Sequence, residues 1–169
     1  MSPTHPTLRS QCEKAVLPVY RILVVEDQNA IYRAGAKALV HVGCEVHRVR
    51  DGQSGWEALR HHSYATLITD YRMPGLGGIE LIRKLRAEKM ALPVILAADG
   101  LGIEEMNEHQ WLQPVISLLK PFTSTEMLTI VARLLPGLAG VSHAASSALG
   151  ATSETFHDAE LWRCWGLNE

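Results

Sequence analysis

Short runs of β-branched and aliphatic residues alternate along the chain with longer segments whose apolar positions recur three and four apart. The runs at 22–25, 45–49, 66–69, 94–97 and 115–119 have the length and composition of strands. Segments 29–42, 53–61, 78–89, 102–110 and 124–135 carry the stripe of an amphipathic helix. The first, third and fourth runs are almost wholly apolar, so they read as buried on both faces. A parallel sheet covered by helices on both sides demands that burial. The pattern therefore predicts an α/β fold: a doubly wound, five-stranded parallel sheet with helices on both faces.

The ends of the chain break the alternation. Residues 1–20 carry Pro3, Pro6 and Pro18 among Ser and Thr with no sustained period, which predicts a flexible leader before a domain at 21–135. After Pro136, Gly, Ala and Ser dominate through Thr152, so 136–169 reads as a linker and a short C-terminal tail. Phe156, Leu161, Trp162, Trp165 and Leu167 stand near helical spacing in that tail, and both a docking helix and a frayed end fit them. A charged fraction of 20 % and a net charge of -2 supply no basic field for nucleic acid. No stretch approaches the roughly 18 apolar residues of a membrane span, and the N-terminus has no apolar secretion core. Cys12, Cys44 and Cys164 are odd in number and widely spaced, which suggests neither a disulfide framework nor a zinc site and fits a reducing cytoplasm. His41, His47, His109, His143 and His157 lack metal-ligand spacing, and His61 and His62 end a helix, where a cation complements the dipole.

Chemistry concentrates where strands end. In an open parallel sheet, ligands bind beyond the carboxyl ends of the strands at the point where strand order reverses. Glu26 and Asp27 follow the first run and Asp70 follows the third. Three carboxylates at one edge repel one another unless a cation sits among them, and Mg²⁺ suits carboxylate and water oxygens. A solvated acidic turn would explain Glu26 and Asp27 equally well. Lys120, which ends the fifth run ahead of Pro121 and Phe122, brings positive charge to the same edge. It is suited to pair with Asp70 at rest and with a phosphoryl oxygen later, and Pro121 leaves a cis bond open.

The stretches ILVVEDQNA, RDGQSGWEAL, LITDYRMPGLGGIELIRKLR, LPVILAAD and LLKPF together resemble the receiver domains of two-component response regulators, over about residues 21–135. The resemblance implies a flavodoxin-like receiver fold in which Asp70 accepts a phosphoryl group from a phosphohistidine. It further implies Mg²⁺ held by Glu26, Asp27, Asp70 and the backbone carbonyl of Arg72, with Lys120 contacting the phosphoryl group. The implied partners are a sensor histidine kinase or histidine phosphotransfer protein and a downstream protein the sequence does not name. A homodimer is left open, and neither nucleic acid nor membrane is expected as a direct partner. Such a domain catalyses its own phosphorylation and is not a classical enzyme. Met73, Pro74, Gly75, Gly77 and Gly78 match the family's loop after the acceptor, whereas Asp51 and Gly52 read as a turn that starts a helix.

Two positions depart from the family pattern. Ala98 stands where a Thr or Ser hydroxyl usually binds the phosphoryl group, and Ser117 stands where an aromatic ring usually changes rotamer with it. The usual switch is therefore absent, and an interaction module without regulated switching is the alternative reading. An aspartate-nucleophile phosphatase would need a second aspartate two residues after the first, where Arg72 stands instead. Arg72, two residues after the acceptor, is placed to cover an acyl phosphate on Asp70, and a solvated arginine with no kinetic role fits it equally well. No GxGxxG or GxxxxGK[ST] follows the first strand, which disfavours a nucleotide-binding domain. Met106, Trp111 and Leu112 fall near the face where the family usually meets partners, although core packing also explains them.

Overall fold

Strands β1 (Arg21–Val25), β2 (Glu45–Val49), β3 (Thr66–Asp70), β4 (Val94–Ala98) and β5 (Val115–Leu119) pair in parallel throughout, in the order β2-β1-β3-β4-β5. This is a computed structural model, and it describes residues 19–29, 31–100 and 115–138, without the side chains of Tyr32 and Ala34. The helices are α1 (Lys37–His41), continuous with a π-helical turn at Tyr32–Ala36, then α2 (Gly52–His61), α3 (Gly78–Ala87) and α4 (Ser124–Leu134).

Successive strand side chains point to opposite faces, and here both faces are apolar. Leu23, Val25, Leu67, Val94 and Leu96 join Leu59, Leu81, Ile82 and Leu85 of α2 and α3 in one core. Ile22, Val24, Ile68, Ile95 and Ala97 join Leu39 of α1 and Met127 and Val131 of α4 in the other. Helices thus seal both faces of the sheet, as the apolar runs predict. Burying each large aliphatic side chain contributes roughly 1.5–3 kcal/mol. Truncating fully buried Ile68 to alanine would cost about 2–5 kcal/mol, because one methylene-lined gap in β3 opens beneath the strand's acidic end.

The strands fall within one residue of their predicted bounds, but the helix ends differ for identifiable reasons. The helix expected over 29–42 starts at Ile31, because the Glu26 side chain accepts the Ile31 N–H at 2.6 Å and Asn29 has φ +50°. The helix expected over 78–89 stops at Ala87, with Lys89 turning out of it at φ +56°. Packing also runs past both expected domain limits. Pro136–Leu138 form a 3-10 turn with Leu138 buried, and the Gly137 N–H donates to the Tyr20 hydroxyl at 3.2 Å. Tyr20 and Leu138 are thereby tied into the second core, where a leader and a linker had been expected. The predicted helix at 102–110, Met106, Trp111 and Leu112, and the segments 1–18 and 139–169 lie outside the described residues. Among the described residues no helix is long and apolar enough to cross a membrane.

Candidate functional site

Strand order reverses between β1 and β3, which opens a crevice at their carboxyl ends. All five residues of β3 are buried, and pairing continues through the Tyr71 N–H donating to the Ala97 carbonyl at 2.9 Å. Asp70 is therefore held inside a rigid ladder, with only 6 % of its surface exposed. Its Oδ1 accepts the Arg72 backbone N–H at 3.2 Å, and its Oδ2 accepts from Lys120 Nζ at 2.5 Å. Fifty positions separate the two charged residues in the chain, and the sheet brings them into contact.

Each partner in that pair is fixed from its own side. The Lys120 N–H donates to the Ala98 carbonyl at 2.9 Å, and the following Lys120–Pro121 bond is cis. Two residues beyond Pro121, Thr123 caps α4 in a reciprocal box: its hydroxyl accepts the Glu126 N–H, and the Glu126 carboxylate accepts the Thr123 N–H at 2.6 Å. That backbone hydrogen bond, joined by one from the Thr123 hydroxyl, holds the Glu126 carboxyl below its ordinary pKa. On the Asp70 side, Gly75 takes φ +75°, a conformation costly for residues with a Cβ. Gly78 begins α3 so close to the strand that a Cβ would collide with the Asp70 carbonyl oxygen.

The two acids after β1 behave differently. Glu26 is fully buried and commits Oε1 to the start of the first helix, while its N–H extends the ladder to the Val49 carbonyl at 3.1 Å. Asp27 Oδ1 is buried with no hydrogen-bond partner. A buried carboxylate oxygen left unsatisfied, at the same sheet edge as Asp70, suits a hard cation. Among the described residues no three His, Cys, Asp or Glu side chains converge closely enough to hold an ion by themselves. Mg²⁺ does not require three, since it is commonly bound through one or two carboxylates and keeps several waters. The unsatisfied Asp27 oxygen and the buried Asp70 carboxylate are donors of the kind such an ion takes.

Residues 22–132 match the family described as the response regulator receiver domain. The chain belongs to that family. The receiver is 38 % identical over 112 residues to the response regulator RppA of Synechocystis, a match covering 64 % of this chain and 47 % of that protein. It spans about half the length of the curated relatives it matches. The receiver domain of a Pseudomonas aeruginosa sensor histidine kinase, with magnesium coordinated in its cleft, is 25 % identical at a TM-score of 0.59. That match covers 70 % of this chain and 99 % of the other. The response regulator TrrA of Thermotoga maritima, in complex with Mg²⁺ and BeF, is 26 % identical at a TM-score of 0.61 over 69 % of this chain and 100 % of that one. The five-stranded parallel sheet is thus the flavodoxin-like fold of the receivers, which are signalling domains rather than classical enzymes.

The receiver's departures from the pattern lie on β4 and β5. Ala98, 2 % exposed, ends β4 opposite Leu119, and Ser117 pairs with Leu96 lower in the same ladder. Ala98 lacks the hydroxyl of the usual switch, and Ser117 lacks its ring. A feature that the sequence did not reveal stands at the mouth of the site. The Arg72 guanidinium lies 4.0 Å from the carboxylate of Asp99, the residue after Ala98, and 5.7 Å from the centre of the Tyr71 ring. The adjacency of Asp99 to Ala98 was its only signal in the sequence. Away from the site, Asp51 caps α2 by accepting the Ser54 N–H at 2.8 Å, and His47 Nδ1 meets the Tyr64 hydroxyl beside the His62 ring. Both belong to packing and caps rather than to the acidic crevice.

Proposed function

We propose that this receiver takes a phosphoryl group from a phosphohistidine onto Asp70 and signals through protein–protein contacts. An Asp70 carboxylate oxygen attacks the phosphorus. The P–O bond forms as the P–N bond breaks, and the departing imidazole nitrogen keeps the electron pair and takes up a proton. Lys120, hydrogen-bonded to Asp70 Oδ2, supplies a point charge for the phosphoryl oxygens. Asp27, Asp70 and the Arg72 carbonyl, with Glu26 behind them, would hold Mg²⁺. When bound, the ion adds positive charge beside those oxygens. The rigid β3 ladder holds the nucleophile in place, so catalysis is chiefly positioning and charge neutralisation. The donor would be a sensor histidine kinase or histidine phosphotransfer protein in the cytoplasm, and the downstream protein would read the changed surface.

The Asp70–Lys120 contact at the carboxyl edge of the sheet carries this reading. Intact mass spectrometry after acetyl phosphate and Mg²⁺ tests it. The parent should gain the mass of one phosphoryl group and Asp70→Asn should not, while a gain retained in the variant would sink the assignment. A second reading, an interaction module without regulated switching, is favoured by Ala98 and Ser117. It would show as Mg²⁺ binding with no mass gain.

A further inference from the structure

We propose that His47 and His62 form a binding site for a divalent transition-metal ion such as Zn²⁺ or Cu²⁺, apart from the acidic crevice. The proposal does not depend on the phosphoacceptor reading. His47 stands on the edge strand β2, two residues before Val49, which packs against the core shared with α2 and α3. His62 is the residue after α2, and the helix delivers it beside that strand. In the sheet His47 is level with Leu67, three residues before Asp70, so about 10 Å of strand separates it from the level of the acidic crevice. The spacing of histidines along the chain gives no sign of the pair, because a strand and a helix end bring it together.

The two imidazole centres lie 6.1 Å apart, with the ring planes at 77°. Two imidazoles that share one ion through nitrogens at about 2.0–2.1 Å have centres about 5–6 Å apart, so a small side-chain rotation closes the site. The contact that packs Tyr64 on His47 also orients the imidazole: the Tyr64 hydroxyl meets His47 Nδ1 at 2.5 Å, and the rings stack at 29°. Metal-binding histidines have their second nitrogen held in this way, and a proton on Nδ1 leaves the Nε2 lone pair for the ion. His62 is exposed, and no hydrogen bond to another described residue engages its ring, so an ion reaches it from solvent. Among the described residues no third His, Cys, Asp or Glu converges with the pair, so water fills the remaining positions. Imidazole suits zinc, copper and nickel, whereas Mg²⁺ takes oxygen ligands, and the two ends of β3 therefore select different ions. A site with two protein ligands loads and empties with the free ion. When loaded, it ties the end of α2 and the turn into β3 to the edge of the sheet.

The test titrates Zn²⁺ alone into the full chain by calorimetry, in a large excess of Mg²⁺. The parent should show a site whose affinity falls at least tenfold in His47→Gln and in His62→Gln, the second a change at an exposed side chain that leaves the fold intact. His61→Gln, next to the pair, and Asp70→Asn, in the crevice, should keep it. Tyr64→Phe should keep the stoichiometry at about 10-fold weaker affinity, the usual effect of losing the partner of a ligating histidine. Saturating Zn²⁺ should raise the urea midpoint of the parent and not that of His47→Gln. Loaded with Cu²⁺ instead, the parent should give the electron-spin signature of two imidazole nitrogens, and each histidine variant that of one at most. No Zn²⁺ site in the parent, an affinity unchanged in either histidine variant, or a site abolished by Asp70→Asn or by excess Mg²⁺ overturns the proposal. None of these results bears on whether Asp70 accepts a phosphoryl group.

Discussion

The carboxyl edge of the sheet has two halves, and they are furnished unequally. On β3 and at the end of β5, Asp70 and Lys120 meet at 2.5 Å, flanked by a buried unsatisfied Asp27 oxygen and fastened by the α4 capping box. On β4 and within β5, Ala98 and Ser117 offer neither hydroxyl nor ring at the expected points, and an exposed ion pair spans the gap. The first half holds what accepting a phosphoryl group would require, whereas the second lacks what reporting it usually requires. Acceptance needs charges held still, whereas reporting needs a group that can move, so the second half can be rebuilt without loss of the first.

The sharpest way to break the comparison is to damage the accepting half. Lys120→Ala removes the only described ammonium on Asp70 Oδ2 and should slow phosphorylation from acetyl phosphate by about 10²-fold or more, as loss of a preorganised charge donor does. A rate within a few-fold of the parent's would place the charge stabilisation elsewhere. Gly78→Ala attacks the same half through its backbone. The added methyl meets the Asp70 carbonyl, an atom locked in the ladder, so α3 must shift away at a cost of about 1–3 kcal/mol. Urea unfolding should show a lower midpoint at an unchanged slope, and an unchanged midpoint would mean that the helix yields freely.

The halves also differ in how far the sequence disclosed them. Asp70 and Lys120 were legible because each ends an apolar run, and parallel strands of similar length bring such ends to one edge. The strands were legible for the same reason, since burial on both faces leaves little choice of residue. The Arg72–Asp99 pair was not legible. It joins two loops, and which loops meet depends on β3 lying beside β4, a fact of topology rather than of spacing. The family resemblance implies a metal-ligand role for Glu26, whereas its cap on Ile31 leaves no mark in residue spacing, because that hydrogen bond depends on how the chain turns after β1. The capping box at Thr123 and Glu126 does have a sequence signature, T-x-x-E, directly after the lysine and its proline.

Restoring the reporting half gives a smaller effect with a diagnostic sign. Ala98→Thr adds a hydroxyl and a methyl to a site 2 % exposed, so stability should fall by about 1 kcal/mol from crowding. Phosphorylation should meanwhile produce a larger change in structure and in partner affinity than in the parent. Equal phosphorylated-state changes in the two proteins would reject the view that Ala98 weakens or reroutes coupling. Arg72→Ala bears on the same half from the other strand. If the guanidinium turns to the acyl phosphate, it shields the bond from water, and its loss should shorten the phosphoryl lifetime several-fold. Equal hydrolysis rates would leave Arg72 no part in the phosphorylated site.

The smallest predicted effect tests whether the accepting half owes its rigidity to the helix that follows it. Thr123→Ala deletes the N-cap of α4 and should cost about 1 kcal/mol, the usual worth of such a cap. The box also makes that contribution depend on pH. Glu126 is held below its ordinary pKa by the backbone N–H and hydroxyl of Thr123, so the folded state favours the ionised form. The stabilisation is complete above the ordinary glutamate range and is lost as the pH falls through the depressed value. Solvent around this exposed pair keeps the effect modest. Thr123→Ala keeps the backbone N–H and loses only the hydroxyl, so the parent and the variant should differ most near neutrality and somewhat less in acid, measured by urea unfolding across that range. If Lys120 depends on the box, Thr123→Ala should also slow phosphorylation by a small factor at neutral pH, and Glu126→Gln should do so less. A stability loss with no change in rate would mean that the Lys120 contact with Ala98 and Asp70 positions the lysine unaided.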